Sequence, residues 1–146
     1  MSNQTRILVI DDDEDITKTV AAILEDQGYI VDIAGTGTEA IEKTQKNHYD
    51  LILVDIRLPD MEGLEVINKI RDTTPKIRKI IITGYPTLQN AITAVNEGAD
   101  AYIIKPFDVE KMLATVKNQL KTQKQEREFS EELVAQFIAT RIEEMN

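Results

Sequence analysis

The chain has 146 residues, 42% of them hydrophobic and 29% charged, which is typical of one soluble globular domain with a real core. It contains no cysteine and a single histidine, which excludes a disulfide framework, a thiolate metal site and a multi-histidine metal site. The net charge of -9 argues against direct nucleic-acid binding, and since no apolar run approaches the roughly 18 residues of a membrane span, we expect a cytoplasmic protein.

The first predicted strand, at residues 6–10, runs directly into five consecutive acidic residues, 11–15. Like charges this close repel one another, which costs stability unless a cation or solvent relieves them. A solvated helix start explains the last three, because acidic side chains favour the positive end of the helix dipole. On this interpretation Asp13 belongs to the helix start. Asp11 and Asp12 fit it less well, since they lie at the end of the strand.

The next two predicted elements contain no candidate catalytic or binding residues. An amphipathic helix ends at Gly28, as glycine commonly ends helices, and a strand is predicted at residues 29–34. Residues 35–38, Gly-Thr-Gly-Thr, then lead into a helix at 39–46. They lack the spacing and the lysine of a nucleotide-binding phosphate loop, so we interpret them as a plain turn.

Four consecutive aliphatic residues, 51–54, predict a strand buried on both faces, as in a parallel sheet. Asp55 follows directly, and Pro59 and Gly63 mark a loop before the next helix. In open α/β sheets ligands bind at the carboxyl ends of the strands, where Asp55 would lie. A lone aspartate there is more often only a helix cap, so the rest of the chain must decide.

Two further strands are predicted after the break at Pro75: residues 79–82, which end in Thr83, and residues 101–104, which end in Lys105. The remaining helices are predicted at about 64–70, 88–97 and 108–120. Five strands that alternate with five helices predict a doubly wound α/β fold, with a parallel sheet in the order 2-1-3-4-5. We assign this domain to residues 1–122.

That strand order brings the polar strand ends together. Strands 1 and 3 would be neighbours, so Asp11 and Asp12 would converge on Asp55. Carboxylate oxygens without histidine or cysteine select a hard cation, and Mg²⁺ takes such ligands together with waters and phosphate oxygens. Thr83 and Lys105 fall on the same edge, where a hydroxyl and an ammonium suit phosphoryl oxygens.

These motifs resemble the receiver domain of two-component response regulators over about residues 6–120. The segments that carry the resemblance are 7–13, 53–63, 82–84 and 101–107. It implies that Asp55 is the phosphoacceptor and takes a phosphoryl group from a sensor histidine kinase. It further implies that Asp12 binds Mg²⁺ directly and Asp11 largely through water, together with Asp55 and the backbone carbonyl of Arg57.

The resemblance also implies roles for the residues on strands 4 and 5. Lys105 would pair with the phosphoryl oxygens, Thr83 would hydrogen-bond to them, and Tyr102 would be an aromatic switch. The Lys105–Pro106 peptide would be cis, and Phe107 is interpreted as packing. Phosphoryl transfer to a carboxylate needs positioning and charge neutralisation rather than a base. We therefore expect self-phosphorylation and autodephosphorylation with Mg²⁺ and no other enzymatic activity.

Residues 123–146 are predicted to be a helical extension or a linker. Its apolar stripe returns at helical spacing after a polar stretch, with Ser130 as a candidate N-cap, and six glutamates against three basic residues make a helix-turn-helix a poor interpretation. The stripe comprises Phe129, Leu133, Val134, Phe137, Ile138, Ile142 and Met145. An isolated helix of this length is marginal in water, so we expect it to dock on its own receiver or on a second copy, as a possible homodimer.

Three classes of function remain open from the residues. The chain is a stand-alone switch acting on an unknown output protein, the receiver module of a longer transcription or output protein cut at Asn146, or an enzyme. A flavodoxin-like cofactor binder lacks its phosphate loop, and an aspartate-nucleophile phosphatase usually has a second aspartate where this chain has Arg57. Arg57 and Tyr85 flank the pocket and either shield the acyl phosphate or point outward, so its lifetime stays open.

Overall fold

The computed structural model describes residues 4–70, 76–84 and 86–145, so the predicted break at Pro75 and the position of Tyr85 lie outside the described residues. The strands are β1 (Arg6–Ile10), β2 (Ile30–Ala34), β3 (Leu51–Asp55), β4 (Arg78–Thr83) and β5 (Ala101–Ile104). The helices are α1 (Glu14–Asp26), α2 (Gly37–Lys46), α3 (Gly63–Lys69), α4 (Leu88–Asn96) and α5 (Val109–Met145).

All strand pairs are parallel and the order is β2-β1-β3-β4-β5, which confirms the predicted doubly wound sheet. Successive side chains of the central strands point to opposite faces, so Leu8 and Ile52 join one core layer while Ile7 and Leu51 join the other. Helices α2, α3 and α4 cover the first layer, and α1 and α5 cover the second. The sheet is thus buried on both faces, and the polar strand ends share one edge.

Strand β5 lies at the edge of the sheet and is less buried than the central strands. It pairs with β4 alone, Tyr102 is only partly buried, and Ile104 is 52% exposed. Its lower burial follows from its position, because a last strand has a neighbour on one side only.

The predicted boundaries of α1 and α2 agree closely with the structure. Asp13 is the N-cap of α1, accepting hydrogen bonds from the backbone N–H groups of Asp15 (3.0 Å) and Ile16 (3.3 Å), which confirms its assignment to the helix start. Gly28 follows α1 with φ of +93°, a conformation that favours glycine. Thr36 caps α2, which begins at Gly37, two residues earlier than predicted.

Helix α5 is a single helix of 37 residues that continues through the predicted extension. Ser130 lies inside it, so its prediction as an N-cap was wrong. The seven side chains of the apolar stripe are 48–82% exposed, so the predicted docking on the chain's own receiver was also wrong. The helix rises roughly 28 Å between Glu126 and Met145, which carries the stripe beyond the receiver. The division at residue 122 stays a prediction.

Polar contacts fix α5 against the amino-terminal edge of the sheet. The buried side chain of Gln123 donates hydrogen bonds to the backbone carbonyls of Asp50 (2.9 Å) and Lys76 (2.8 Å), just before β3 and β4. The Arg78 guanidinium donates to Oε1 of Gln119 (2.8 and 3.0 Å) and to Glu126 (3.2 Å). These bonds hold the middle of α5 at the edge opposite to the polar strand ends.

Replacing Gln123 with alanine should lower the free energy of unfolding by about 2 kcal/mol, because the buried amide and its hydrogen bonds to the Asp50 and Lys76 carbonyls are lost. Gln125→Ala is the matched control, since Gln125 is exposed on the same turn and surface changes usually stay within about 0.5 kcal/mol. Urea denaturation followed by circular dichroism measures both variants. Equal stability of the two would contradict a structural role for Gln123.

Helix α5 has the length for a membrane span but is charged throughout. Within residues 4–70, 76–84 and 86–145 no helix is both long and apolar enough to cross a membrane.

Candidate functional site

Three carboxylates converge at the carboxyl edge of the sheet, as the strand order predicted. Ile10 of β1 lies opposite Val54 of β3, so Asp11 and Asp12 follow β1 beside Asp55 at the end of β3. Each of the three offers a carboxylate oxygen, and these oxygens all lie within 4.8 Å of one another. Asp11 is buried, Asp55 is partly buried and Asp12 is exposed, so the cluster opens to solvent on one side.

Lys105 places its ammonium between two of these carboxylates. Its Nζ lies 2.7 Å from Oδ2 of Asp11 and 3.2 Å from Oδ2 of Asp55. All three side chains are mostly buried, with 18%, 6% and 13% exposure for Lys105, Asp11 and Asp55. The fully buried Thr83 ends β4, and its carbonyl accepts a hydrogen bond from the Lys105 N–H at 2.8 Å. The structure therefore brings together the predicted residues of four strand ends.

The charges in this pocket do not balance. Burial raises the pKa of Asp55 and the charge of Asp11 raises it further, while Lys105 and the Arg57 N–H oppose the shift. For Lys105 burial acts to lower the pKa, but the hydrogen bonds and charges of Asp11 and Asp55 outweigh it and raise the pKa. One ammonium thus faces three carboxylates, and an oxygen-only cluster with excess negative charge could hold a hard cation.

The loop after Asp55 packs directly on the backbone of that residue. The Arg57 N–H lies 3.4 Å from Oδ1 of Asp55, and Arg57 is exposed. A Cβ on Gly63 would collide with the carbonyl oxygen of Asp55 and lie 2.9 Å from its carbonyl carbon. Only a residue without a side chain allows this approach. The sequence prediction treated Gly63 as a loop marker and missed its contact with the backbone of Asp55.

The predicted switch residue, Tyr102, lies on β5. Tyr102 packs on the core layer that contains Leu8 and Ile52, and its buried hydroxyl has no hydrogen-bond partner among the described residues. Burial raises its pKa. Its role as a switch stays a prediction. Phe107 packs on the other core layer, as predicted, and the Lys105–Pro106 peptide is cis.

Comparison with known proteins identifies the family. The model of the response regulator receiver domain matches residues 7–117 of the chain. The chain belongs to this family. The matched residues contain the three clustered carboxylates, Thr83 and Lys105, and stop within α5 before the exposed part of that helix.

Individual relatives agree with this receiver assignment. The response regulator ArlR of Staphylococcus saprophyticus is 40% identical over 123 residues, 83% of this chain and 54% of that protein. The transcriptional regulatory protein ZraR of Klebsiella oxytoca is 37% identical over 135 residues, 92% of this chain and 30% of that protein. The chain therefore spans about half, or less, of the length of these curated relatives.

A solved receiver domain has the same fold over most of this chain. The crystal structure of a CheY-like response regulator receiver domain protein from Methanospirillum hungatei is 42% identical, with a TM-score of 0.81. The match covers 85% of this chain and 99% of that one. This chain has the CheY-like receiver fold.

Proposed function

We propose that this receiver is the phosphoacceptor switch of a two-component phosphorelay, in which Asp55 accepts a phosphoryl group from a sensor histidine kinase. The observation that carries the proposal is the position of Asp55 at the convergence of two further carboxylates and the Lys105 ammonium, which lies 3.2 Å from its Oδ2. A carboxylate in such a place is a nucleophile with the positive charge of Lys105 already in position.

The donor set suits Mg²⁺, which prefers oxygen ligands and keeps several waters. Asp11, Asp12 and Asp55 would hold it, with the backbone carbonyl of Arg57 as a further ligand. When bound, the cation supplies positive charge that neutralises the negative charge developing on the transferred group.

Individual side chains would each have one role in the transfer of the phosphoryl group. A carboxylate oxygen of Asp55 forms a bond to phosphorus as the bond from phosphorus to the histidine nitrogen breaks, so no general base is required. The Lys105 ammonium then moves from the carboxylate oxygens to the phosphoryl oxygens, with which it forms stronger charge-assisted hydrogen bonds. The Thr83 hydroxyl, at the end of β4, donates to another phosphoryl oxygen, and Tyr102 on the adjacent β5 responds to its movement.

Intact-mass measurement of the full chain tests this function. After incubation with acetyl phosphate and Mg²⁺ we expect one added phosphoryl group. Hydroxylamine, which cleaves acyl phosphates, should remove it, and a chelator present from the start should prevent its formation. A chain that stays unlabelled with acetyl phosphate and with every kinase tried would contradict the proposal.

Mg²⁺ affinity should depend on Asp12 and not on its neighbour Asp13. Asp12→Asn should raise the Mg²⁺ dissociation constant at least tenfold, on the order of the loss seen when metal-site residues are changed. Asp13→Asn is the matched control, because asparagine caps helices as well as aspartate does. Nuclear magnetic resonance titration with MgCl₂ measures both. Equal losses in the two variants would show that the cation site is misassigned.

The output of the switch follows one of two forms. The covered fraction of the curated relatives, 54% and 30%, supports a receiver module of a longer regulatory protein. A stand-alone switch acting on a separate partner protein is the alternative. The position of the stop codon in the gene decides between them.

The exposed apolar stripe supports a homodimer. Seven large apolar side chains on one helix remain exposed, and patches of this kind mark protein–protein contacts. Two copies of α5 would cover them in a helix pair, which leaves the cluster around Asp55 untouched.

Truncation after Glu128 should convert such a dimer to a monomer while leaving Asp55 phosphorylation unchanged. This cut retains Gln123 and Glu126, whose contacts hold α5 on the sheet. Light scattering gives the mass of both proteins, with and without phosphodonor. The same mass for the two in every state would contradict the homodimer.

A further inference from the structure

The loop between β3 and α3 is closed by its own backbone. The Gly63 N–H donates to the Ile56 carbonyl at 2.6 Å, and Arg57 pairs with Glu62 in an antiparallel bridge. At its tip the Leu58 N–H donates to the Met61 carbonyl at 3.1 Å. Because both ends are tied, a displacement of the tip is passed to Arg57 at the base.

Asp60, at this tip, accepts three hydrogen bonds from the start of α2. Its Oδ1 accepts the Gly37 N–H at 2.8 Å, and its Oδ2 accepts the N–H and the hydroxyl of Thr38 at 2.9 and 2.6 Å. These hydrogen bonds lower the pKa of Asp60 to about 2, so the carboxylate is ionised at neutral pH. The first backbone donors of a helix attract a negative charge, which makes this contact favourable although it is exposed.

The neighbouring Met61 reinforces the contact. A Cβ on Gly37 would lie 2.5 Å from Sδ of Met61 and 3.0 Å from Cγ2 of Val66, so the loop tip and α3 lie directly against the first turn of α2. Helix α2 has its own cap as well, since the Thr36 hydroxyl accepts the Glu39 N–H at 3.1 Å. The carboxylate of Asp60 is therefore an additional tie between loop and helix.

We propose that Asp60 is a positioning residue that holds the loop after β3 and thereby orients the Arg57 carbonyl for the cation bound by Asp11, Asp12 and Asp55. The inference rests on the proposed function, because it concerns the same cation site. Its physical basis is the unbroken path from the three hydrogen bonds at the tip to the paired base of the loop, next to the Asp55 backbone.

Mg²⁺ titration of the full chain tests this role. We expect Asp60→Ala to raise the dissociation constant about tenfold, as changes to residues that orient metal ligands do. Asp60→Asn keeps one acceptor oxygen and should fall between Asp60→Ala and the wild type. The Asp13 and Arg57 amide signals report binding, and the β2 and β5 amides report that the fold is intact.

Two controls separate positioning from general effects. Thr36→Ala removes a cap from the same helix without touching the loop, and Glu62→Gln removes an exposed charge from the same loop. Both should keep the wild-type Mg²⁺ affinity within about twofold. Thr36→Ala leaves the hydrogen bonds of Asp60 in place, and the exposed charge of Glu62 is screened at physiological salt.

The outcomes are distinguishable. Wild-type affinity in Asp60→Ala, or an equal loss in either control, would overturn the positioning role and leave the proposed function standing. If the wild type itself shows no Mg²⁺ binding, the cation site fails and the positioning role fails with it.

Discussion

Replacing Asp55 with asparagine should abolish phosphorylation of the chain completely. An amide is not a competent nucleophile toward phosphorus under these conditions. Asp55 lies at the end of β3 beside Asp11 and Asp12, with its Oδ2 3.2 Å from the Lys105 ammonium. Intact-mass analysis after incubation with acetyl phosphate and Mg²⁺ should show one phosphoryl group on the wild type and none on the variant.

Asp13→Asn is the matched control for labelling, because it changes a carboxylate in the same acidic run and keeps the cap of α1. It should be labelled like the wild type. Labelling of Asp55→Asn to the same extent as the wild type would remove Asp55 from the mechanism.

The same substitution should stabilise the metal-free protein. Burial and the Asp11 charge raise the pKa of Asp55 above its ordinary value, so the folded state binds this proton more tightly than the unfolded state does. The cost of ionising Asp55 is absent at low pH and grows as the pH rises through this raised pKa. Near pH 7 Asp55→Asn avoids that cost. Its thermal midpoint should therefore exceed that of the wild type, and a lower midpoint would contradict the excess of negative charge.

Substitution of Gly63 with alanine should lower the free energy of unfolding by about 3 kcal/mol, the upper end of the usual range for overpacked sites. The added Cβ meets the backbone of Asp55, with the carbonyl carbon 2.9 Å away and Cγ2 of Val54 at 3.1 Å. Backbone cannot rotate away as a flexible side chain can. The strand end must shift, so the rate of phosphorylation should fall together with the stability.

Gly35→Ala is the matched control, because a Cβ at Gly35 meets nothing within 4 Å and its φ is not in the left-handed region. It should change the free energy of unfolding by less than about 0.5 kcal/mol. Urea denaturation compares the two variants, and acetyl phosphate labelling gives the rate. A neutral Gly63→Ala would mean that the loop does not pack on Asp55 as described.

The order of the elements and the composition of the candidate site could be predicted from the chain alone. Each central strand is a short run of aliphatic residues, and a polar or charged side chain of the candidate site follows where that run stops. Asp55 follows the run 51–54 in this way. Parallel strands bring such ends to one edge, so the spacing along the chain already predicts that Asp11, Asp12 and Asp55 meet. Local signals sufficed here because burial and strand direction follow from the hydrophobic pattern.

Only the tertiary structure revealed the contacts between parts of the chain that have no shared pattern. The hydrogen bonds of Asp60 with Gly37 and Thr38 join positions that are 23 and 22 residues apart. The hydrogen bond from Gln123 to the Asp50 carbonyl joins positions that are 73 residues apart. Such contacts depend on where a loop tip or a helix turn lies in space, which neither propensity nor periodicity encodes.

The extension at residues 123–146 shows the same difference between what the sequence predicts and what the tertiary structure decides. The amphipathic stripe could be predicted from the sequence. Whether the helix that carries it folds back on the receiver could not. Helix propensity continues without a break from Val109 to Met145, so the polar stretch extends α5 instead of ending it, and the stripe projects beyond the receiver. The sequence determined that an apolar surface exists, and the uninterrupted course of α5 decided that its own domain leaves this surface exposed.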